Sequence, residues 1–189
     1  MHGIQFKIEI ENSSPKIWRR IVVPYEYTFY KFHLAIQGAF GWSNQHLFEF
    51  SEKGHLDKVC YAELNEDNTG DNEFVTKDAK RSKIKLVFVK HREFKYIYDF
   101  GDMWSHKIKF EELIINEIER PYCLDGGGAC PPEDCGGLGG YEQLLNSLNT
   151  PGHPEQETYI RWIGLSHKER WDANFFSVRE ANIRLSLID

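Results

Sequence analysis

Polar and apolar residues alternate at the start of the chain. Ile4, Phe6, Ile8 and Ile10 fall on one side with Gln5, Lys7 and Glu9 between them, the period of a half-buried strand. The polar Asn12-Ser13-Ser14-Pro15 string ends that strand. A second is expected over residues 17–23, where β-branched side chains stand at Ile17, Ile21, Val22 and Val23 and Pro24 follows. The two should pair as an antiparallel hairpin. The period then changes to that of a helix: Phe29, Phe32, Ile36 and Phe40 recur along one face, Thr28 stands where an N-cap belongs, and Gly41 stands where the helix should stop. Residues 47–50 and 58–64 read as shorter strands, 65–73 as a polar loop, and 84–89 as an apolar run too short for its period to decide between helix and strand.

Two aromatic-rich runs between residues 94 and 113 flank Gly101-Asp102, and glycine at the first of two turn positions predicts a type II′ hairpin. In that register Ile97 opposes His106 and Asp99 opposes Trp104, so Asp99 and His106 share a face diagonally. The stretch from Tyr122 to Tyr141, YCLDGGGACPPEDCGGLGGY, reads as a glycine-rich loop, because so much glycine marks positive φ or a close approach of backbone. Beyond it Tyr141, Leu144, Leu145 and Leu148 make a helical stripe. Pro154 suits the first turn of a further helix carrying Tyr159, Trp162 and Ile163, and Ser177 with Glu180 predicts a capping box for a last helix ending near Leu187. These elements predict a single compact α+β domain, a mostly antiparallel sheet with helices packed against it.

Composition supports that picture. A chain of 189 residues that is 41% hydrophobic can bury one core and is not disordered. The N-terminus has neither the charged nor the apolar region of a signal peptide, and no apolar run approaches a membrane span, so a cytoplasmic protein without membrane contact is expected. The net charge of −6 argues against a protein that coats nucleic acid. Between Lys77 and Lys95, however, eight basic residues stand against Asp78 and Glu93, a local +6 with −12 elsewhere. That run is either a solvated face or a footprint for phosphate, and nucleic acid remains the least favoured partner.

Three groups of residues could carry chemistry. Cys123, Cys130 and Cys135 supply three soft ligands in a spacing unlike the usual zinc knuckle, with His106 or Cys60 to complete a zinc site; ordinary reduced thiols are the competing reading. Asp99, Asp102, His106 and Glu111 on the hairpin, with Glu133 and Asp134 on the loop, could form a general base or hold a hard cation, against the plainer reading in which they satisfy turn amides and a core imidazole. The glycines of 136–140 precede a helix as in phosphate loops, but no Lys-Ser/Thr pair follows, and Asp125, Glu133 and Asp134 favour a cation or an amine. The aromatic residues, Trp104 among them, either line a pocket or form the core.

The strings IWRRIVVP (residues 17–24), Gly41-Trp42, HLFEF (residues 46–50), YDFGDMWSH (residues 98–106) and CPPEDCGGLGGY (residues 130–141) occur in the order seen in the plasmid pRiA ORF-three-like family, which the chain resembles over nearly its whole length. The resemblance implies one α+β domain of prokaryotic type and no particular activity. It singles out Trp18, Arg19, Arg20, His33, Trp42, His46, Asp99, Gly101, Asp102, Trp104, His106, Pro131, Pro132, Glu133, Asp134, Gly136 and Gly137. The expected site is a cleft formed by Asp99, Asp102, Trp104, His106, Glu133 and Asp134. The leading functional expectation is a non-enzymatic module binding a protein partner or a small cationic ligand. A metal-assisted hydrolase and a nucleic-acid adaptor linked to mobile elements are the alternatives.

Overall fold

The computed structural model of the chain describes residues 2–55, 57–64, 75–88, 90–166 and 169–188; the polar stretch 65–73 lies outside them. Strands β1 (Gly3–Ile10) and β2 (Trp18–Pro24) pair antiparallel as the alternation predicts, Ile4 opposite Val23 and Ile8 opposite Arg19. Helix α1 (Phe29–Phe40) begins at Thr28, whose side chain accepts from the Lys31 amide, and ends at Gly41 in the left-handed region. Its Phe29, Phe32, Ile36 and Phe40 are all buried against the sheet.

Helix α1 has no basic residue in its last turn, and its terminal carbonyls are met from elsewhere. Arg19 Nε donates to Ala39 O at 3.0 Å and Arg184 Nε to Gly38 O at 2.8 Å. Arg19 is 1% exposed, lies between the rings of Phe40 and Phe176, and donates further to the carbonyls of Trp18, Gly127 and Gly128. Burial lowers its pKa to about 10, which still leaves it cationic at neutral pH, opposite the negative end of the α1 dipole.

The remaining elements are β3 (Phe48–Ser51), β4 (Val59–Ala62), β5 (Val75–Asp78), α2 (Lys85–Phe88), β6 (Glu93–Tyr98), β7 (Trp104–Ile114), β8 (Tyr122–Gly127), α3 (Gly137–Asn149), α4 (Gln156–Trp162) and α5 (Val178–Leu185). Among the described residues one eight-stranded sheet runs in the order β5-β4-β3-β6-β7-β1-β2-β8. All its pairs are antiparallel except β4 with β5, so the expected α+β class holds. Among the described residues no helix is long and apolar enough to cross a membrane.

Three expectations need correction, and the run 84–89, whose period is ambiguous, resolves in favour of helix. Tyr98 pairs with Trp104 and Tyr96 with His106, one residue out of the expected register. The turn therefore spans residues 99–103; the Met103 amide donates to Asp99 O at 2.7 Å and the positive φ values belong to Asp99 (58°) and Met103 (54°), not to Gly101. Part of the glycine-rich stretch is strand β8, paired with β2, where a Cβ on Gly126 would come within 2.4 Å of the Phe176 ring. The apolar run 84–89 contributes the short helix α2, buried through Val87 and Phe88. Pro154 precedes the N-cap of α4, Glu155, rather than lying inside its first turn. Ser177 caps α5 as expected, accepting from the Glu180 amide.

Candidate metal centre

The link from α1 to β3 crosses the end of the sheet and is held there by buried polar groups. The Trp42 indole donates to Pro131 O at 3.0 Å, fastening this link to the Pro131-Pro132-Glu133-Asp134 segment. Asn44 takes a left-handed conformation, φ 56°; its amide donates to Gln37 Oε1 at 3.0 Å and its Oδ1 accepts from His33 Nε2 at 2.6 Å. The Tyr96 hydroxyl completes the set, 2.8 Å from His33 Nδ1 and accepting from Gln37 Nε2 at 3.0 Å. Burial pushes His33 down to about 4, against the opposing pull of Asn44, so the ring is neutral and donates through one nitrogen only.

This frame places His46 opposite two other segments. Its Nε2 stands 3.2 Å from Asp134 Oδ1, 3.7 Å from Asp99 Oδ2 and 3.9 Å from Glu133 Oε2, yet that nitrogen is buried and makes no hydrogen bond. Asp99 is oriented by its own turn: Oδ1 accepts from the Gly101 amide at 2.8 Å, leaving Oδ2 toward His46. Glu133 is held by the Ser43 amide (2.8 Å), the Ser43 hydroxyl (3.1 Å) and the Tyr98 hydroxyl (3.0 Å), and burial together with this carboxylate raises the Tyr98 pKa well above its ordinary value. Tyr98 therefore stays a neutral donor.

One ligand atom each from His46, Asp99 and Asp134 lies within 4.8 Å of the others. Donors about 2.1 Å from a shared ion are themselves roughly 3–4 Å apart, so small rotations bring these three onto one cation. They could chelate a metal ion. Asp99 supplies a buried carboxylate and Asp134 an exposed one, 10% and 64% accessible at the side chain, so the position opens to solvent on the Asp134 side. Asp99 and Asp134 are also both left-handed, φ 58° and 56°, a strained choice for a residue with a Cβ that tends to persist at functional positions.

Of the residues expected at a cleft, Asp99, Glu133 and Asp134 meet around His46. Asp102 lies beside them in a different role: its Oδ2 accepts from the Gly136 amide at 3.0 Å, and a Cβ on Gly137 would stand 2.4 Å from its carbonyl oxygen. Glycine is required there because the loop backbone rests on the hairpin turn. Trp104 and His106 are core residues, 1% and 0% exposed. His106 donates through Nδ1 to the carbonyls of Trp104 (2.8 Å) and Tyr96 (3.2 Å), and burial lowers its pKa to about 4. The expected diagonal pair of Asp99 and His106 is absent, since Asp99 lies in the turn beyond the last ladder residue. Glu111 is occupied elsewhere by a two-point pairing with Arg20 at 2.7 and 3.0 Å.

The three thiols and His106 lie outside the His46 ligand group. Among the described residues, His46, Asp99 and Asp134 are the one group of three or more potential ligands that come together, so Cys123, Cys130, Cys135 and His106 form no such set. All four cysteines are free. Burial raises the Cys123 pKa, raises that of Cys130 further, and pushes Cys135 up to about 12, as for neutral thiols in apolar surroundings. The residue missed at the outset is His46: the resemblance marked it, but its ligand partners lie in two distant segments and no spacing in the sequence links them.

Residues 2–180 match the family model described as plasmid pRiA4b ORF-3-like protein. The chain is 34% identical over 182 residues to a Sinorhizobium fredii protein described as uncharacterized protein y4hQ, covering 94% of this chain and 89% of that one. It is also similar to the crystal structure of a protein of unknown function, MM3350 from Methanosarcina mazei Go1. That match has a TM-score of 0.79 and 31% identity, and covers 95% of this chain and 97% of the other.

Proposed function

Because the chain belongs to the plasmid pRiA4b ORF-3-like family, a membership that carries no chemistry by itself, we propose a function from the site: a binding module that holds one divalent cation through His46, Asp99 and Asp134. The observation that carries this reading is the buried His46 Nε2, which faces three carboxylate oxygens at 3.2, 3.7 and 3.9 Å without a hydrogen bond. A cation between them would satisfy the nitrogen and neutralise the carboxylates together. One imidazole with two carboxylates suits a transition dication such as zinc or manganese better than calcium, which takes six to eight oxygens. The open side at Asp134 leaves coordination positions for a further ligand. Binding is favoured over hydrolysis because Glu133, the neighbouring carboxylate best placed to act as a base, already accepts from three donors.

Isothermal titration of chelator-treated, tag-free protein with zinc and with manganese tests this. One equivalent should bind, and His46→Ala or Asp99→Asn should weaken binding at least about tenfold, as losing part of a ligand set does. Cys130→Ser should bind as the parent does. Equal affinities for the parent and both ligand variants would remove the proposal, and loss of binding in Cys130→Ser would restore the thiolate reading.

A further inference from the structure

A second concave site lies at the sheet edge where β4 and β5 run parallel beside α2. It is a cleft of about 720 Å³, within the range that takes a small ligand. Its apolar floor is Tyr61, Val87 and Phe94, each 9% exposed or less. Its walls hold six cations, Lys53, Lys58, Lys77, Arg81, Lys83 and Lys90, against the carboxylates of Glu52 and Asp57. The lining is thus +4 in a chain of −6, which leaves −10 for the rest of the molecule.

The two carboxylates are already engaged. Asp57 accepts from the amides of Lys53 (3.0 Å) and Lys58 (2.8 Å), and Glu52 lies 3.4 Å from His91. Arg81 pairs with Asp78 at 3.4 Å and Lys83 bonds the Glu26 carbonyl at 2.6 Å. Lys53, Lys58, Lys77 and Lys90 have no carboxylate partner among the described residues; Lys77 lies over the Tyr61 ring at 5.4 Å. Half of the basic run between residues 77 and 95 therefore converges on this cleft. The other half is dispersed, with Lys80 on Glu63, Lys85 on Glu26, Arg92 over Phe110 and Lys95 on Glu11.

We infer that this cleft binds a small polyanion, a phosphorylated molecule whose apolar or aromatic body rests on Tyr61, Val87 and Phe94 while its phosphoryl groups meet the unpaired lysines. Convergent cations in a concave, apolar-floored site focus field where an anion can be enclosed. A compact anion fits wholly within the cleft, whereas a polymer would have to extend over a surface carrying the remaining −10. None of the His46 cluster lines the cleft, so the inference stands apart from the cation site.

The test is titration of chelator-treated protein, in which no metal can recruit phosphate, with ATP, inorganic pyrophosphate and a short single-stranded oligonucleotide at about 100 mM salt. ATP should bind saturably and more tightly than pyrophosphate, because only ATP reaches the floor. Joint Lys58→Glu and Lys90→Glu substitution should weaken ATP at least about tenfold, and Lys109→Glu, on an exposed position of β7, less than about twofold, with melting temperatures unchanged. The inference is overturned by no saturation at about 1 mM ATP, by pyrophosphate matching ATP, or by equal losses in the cleft and β7 variants. It is also overturned by tighter binding of the oligonucleotide, which would assign the cleft to a polymer.

Discussion

Asp134 combines two unusual properties, a left-handed backbone at φ 56° and a carboxylate aimed at His46, and substitutions separate them. Asp134→Gly removes the carboxylate and relieves the backbone. Stability should change by no more than about 1 kcal/mol in urea, while metal affinity falls at least about tenfold. Asp134→Val should lose both. A glycine variant destabilised by much more than this would show that the conformation carries no strain. The same residues mark what was legible at this scale. Asp99, Glu133 and Asp134 stand out as carboxylates beside glycines, and they do meet. His46 has no local signal, because its partners lie more than fifty and more than eighty positions away along the chain, and only the fold brings them to one point.

At the scale of elements, the hydrophobic period located β1 and α1, where one face is buried, and β-branched content located β2, whose Ile21 to Pro24 are all buried; both signals failed where side-chain chemistry or a distant contact set the backbone. In the β6–β7 turn the Asp99 carboxylate closes onto the Gly101 amide, so a five-residue loop replaces the two-residue turn that Gly101-Asp102 suggests. β8 was hidden by its glycines, which strand propensity disfavours. A Cβ on Gly127 would stand 3.0 Å from the Trp18 indole nitrogen, and Gly126 is there because Phe176, from a segment some fifty residues later, lies on the strand and over the Arg19 guanidinium at 3.9 Å. Gly126→Val should therefore overpack this contact and cost roughly 1–3 kcal/mol. Phe176→Ala in the same chain should recover part of that loss. Additive penalties in a double-mutant cycle would mean that the ring and the strand do not meet.

At the scale of the whole molecule, His33 and His106, the buried histidines among the described residues, set a pH limit on folding. His33 and His106 are both held near 4 in the folded chain against 6.5 in the unfolded one. Between those values the unfolded chain binds more protons, so stability is complete above about 6.5 and is lost as pH falls toward 4, by on the order of 3 kcal/mol for each ring. Glu9, Glu26 and Glu111, lowered by their basic partners, lose their contributions only below the ordinary carboxylate range. Urea midpoints measured from pH 7 to pH 4.5 should decline through this window, and His33→Gln should halve the slope; a flat profile would contradict the buried neutral state of both rings. The sheet order has a consequence of another kind. An open sheet has two rims of unpaired backbone that can recruit a foreign strand and seed aggregates. Here one rim is β5, four residues long and ending in Lys77 and Asp78, and the other is β8, offset by an irregularity opposite Arg20 and Ile21 and tied by its Cys123 backbone to Asn182 of α5. Among the described residues neither rim presents a long, flat, apolar edge, which disfavours templated growth at both ends.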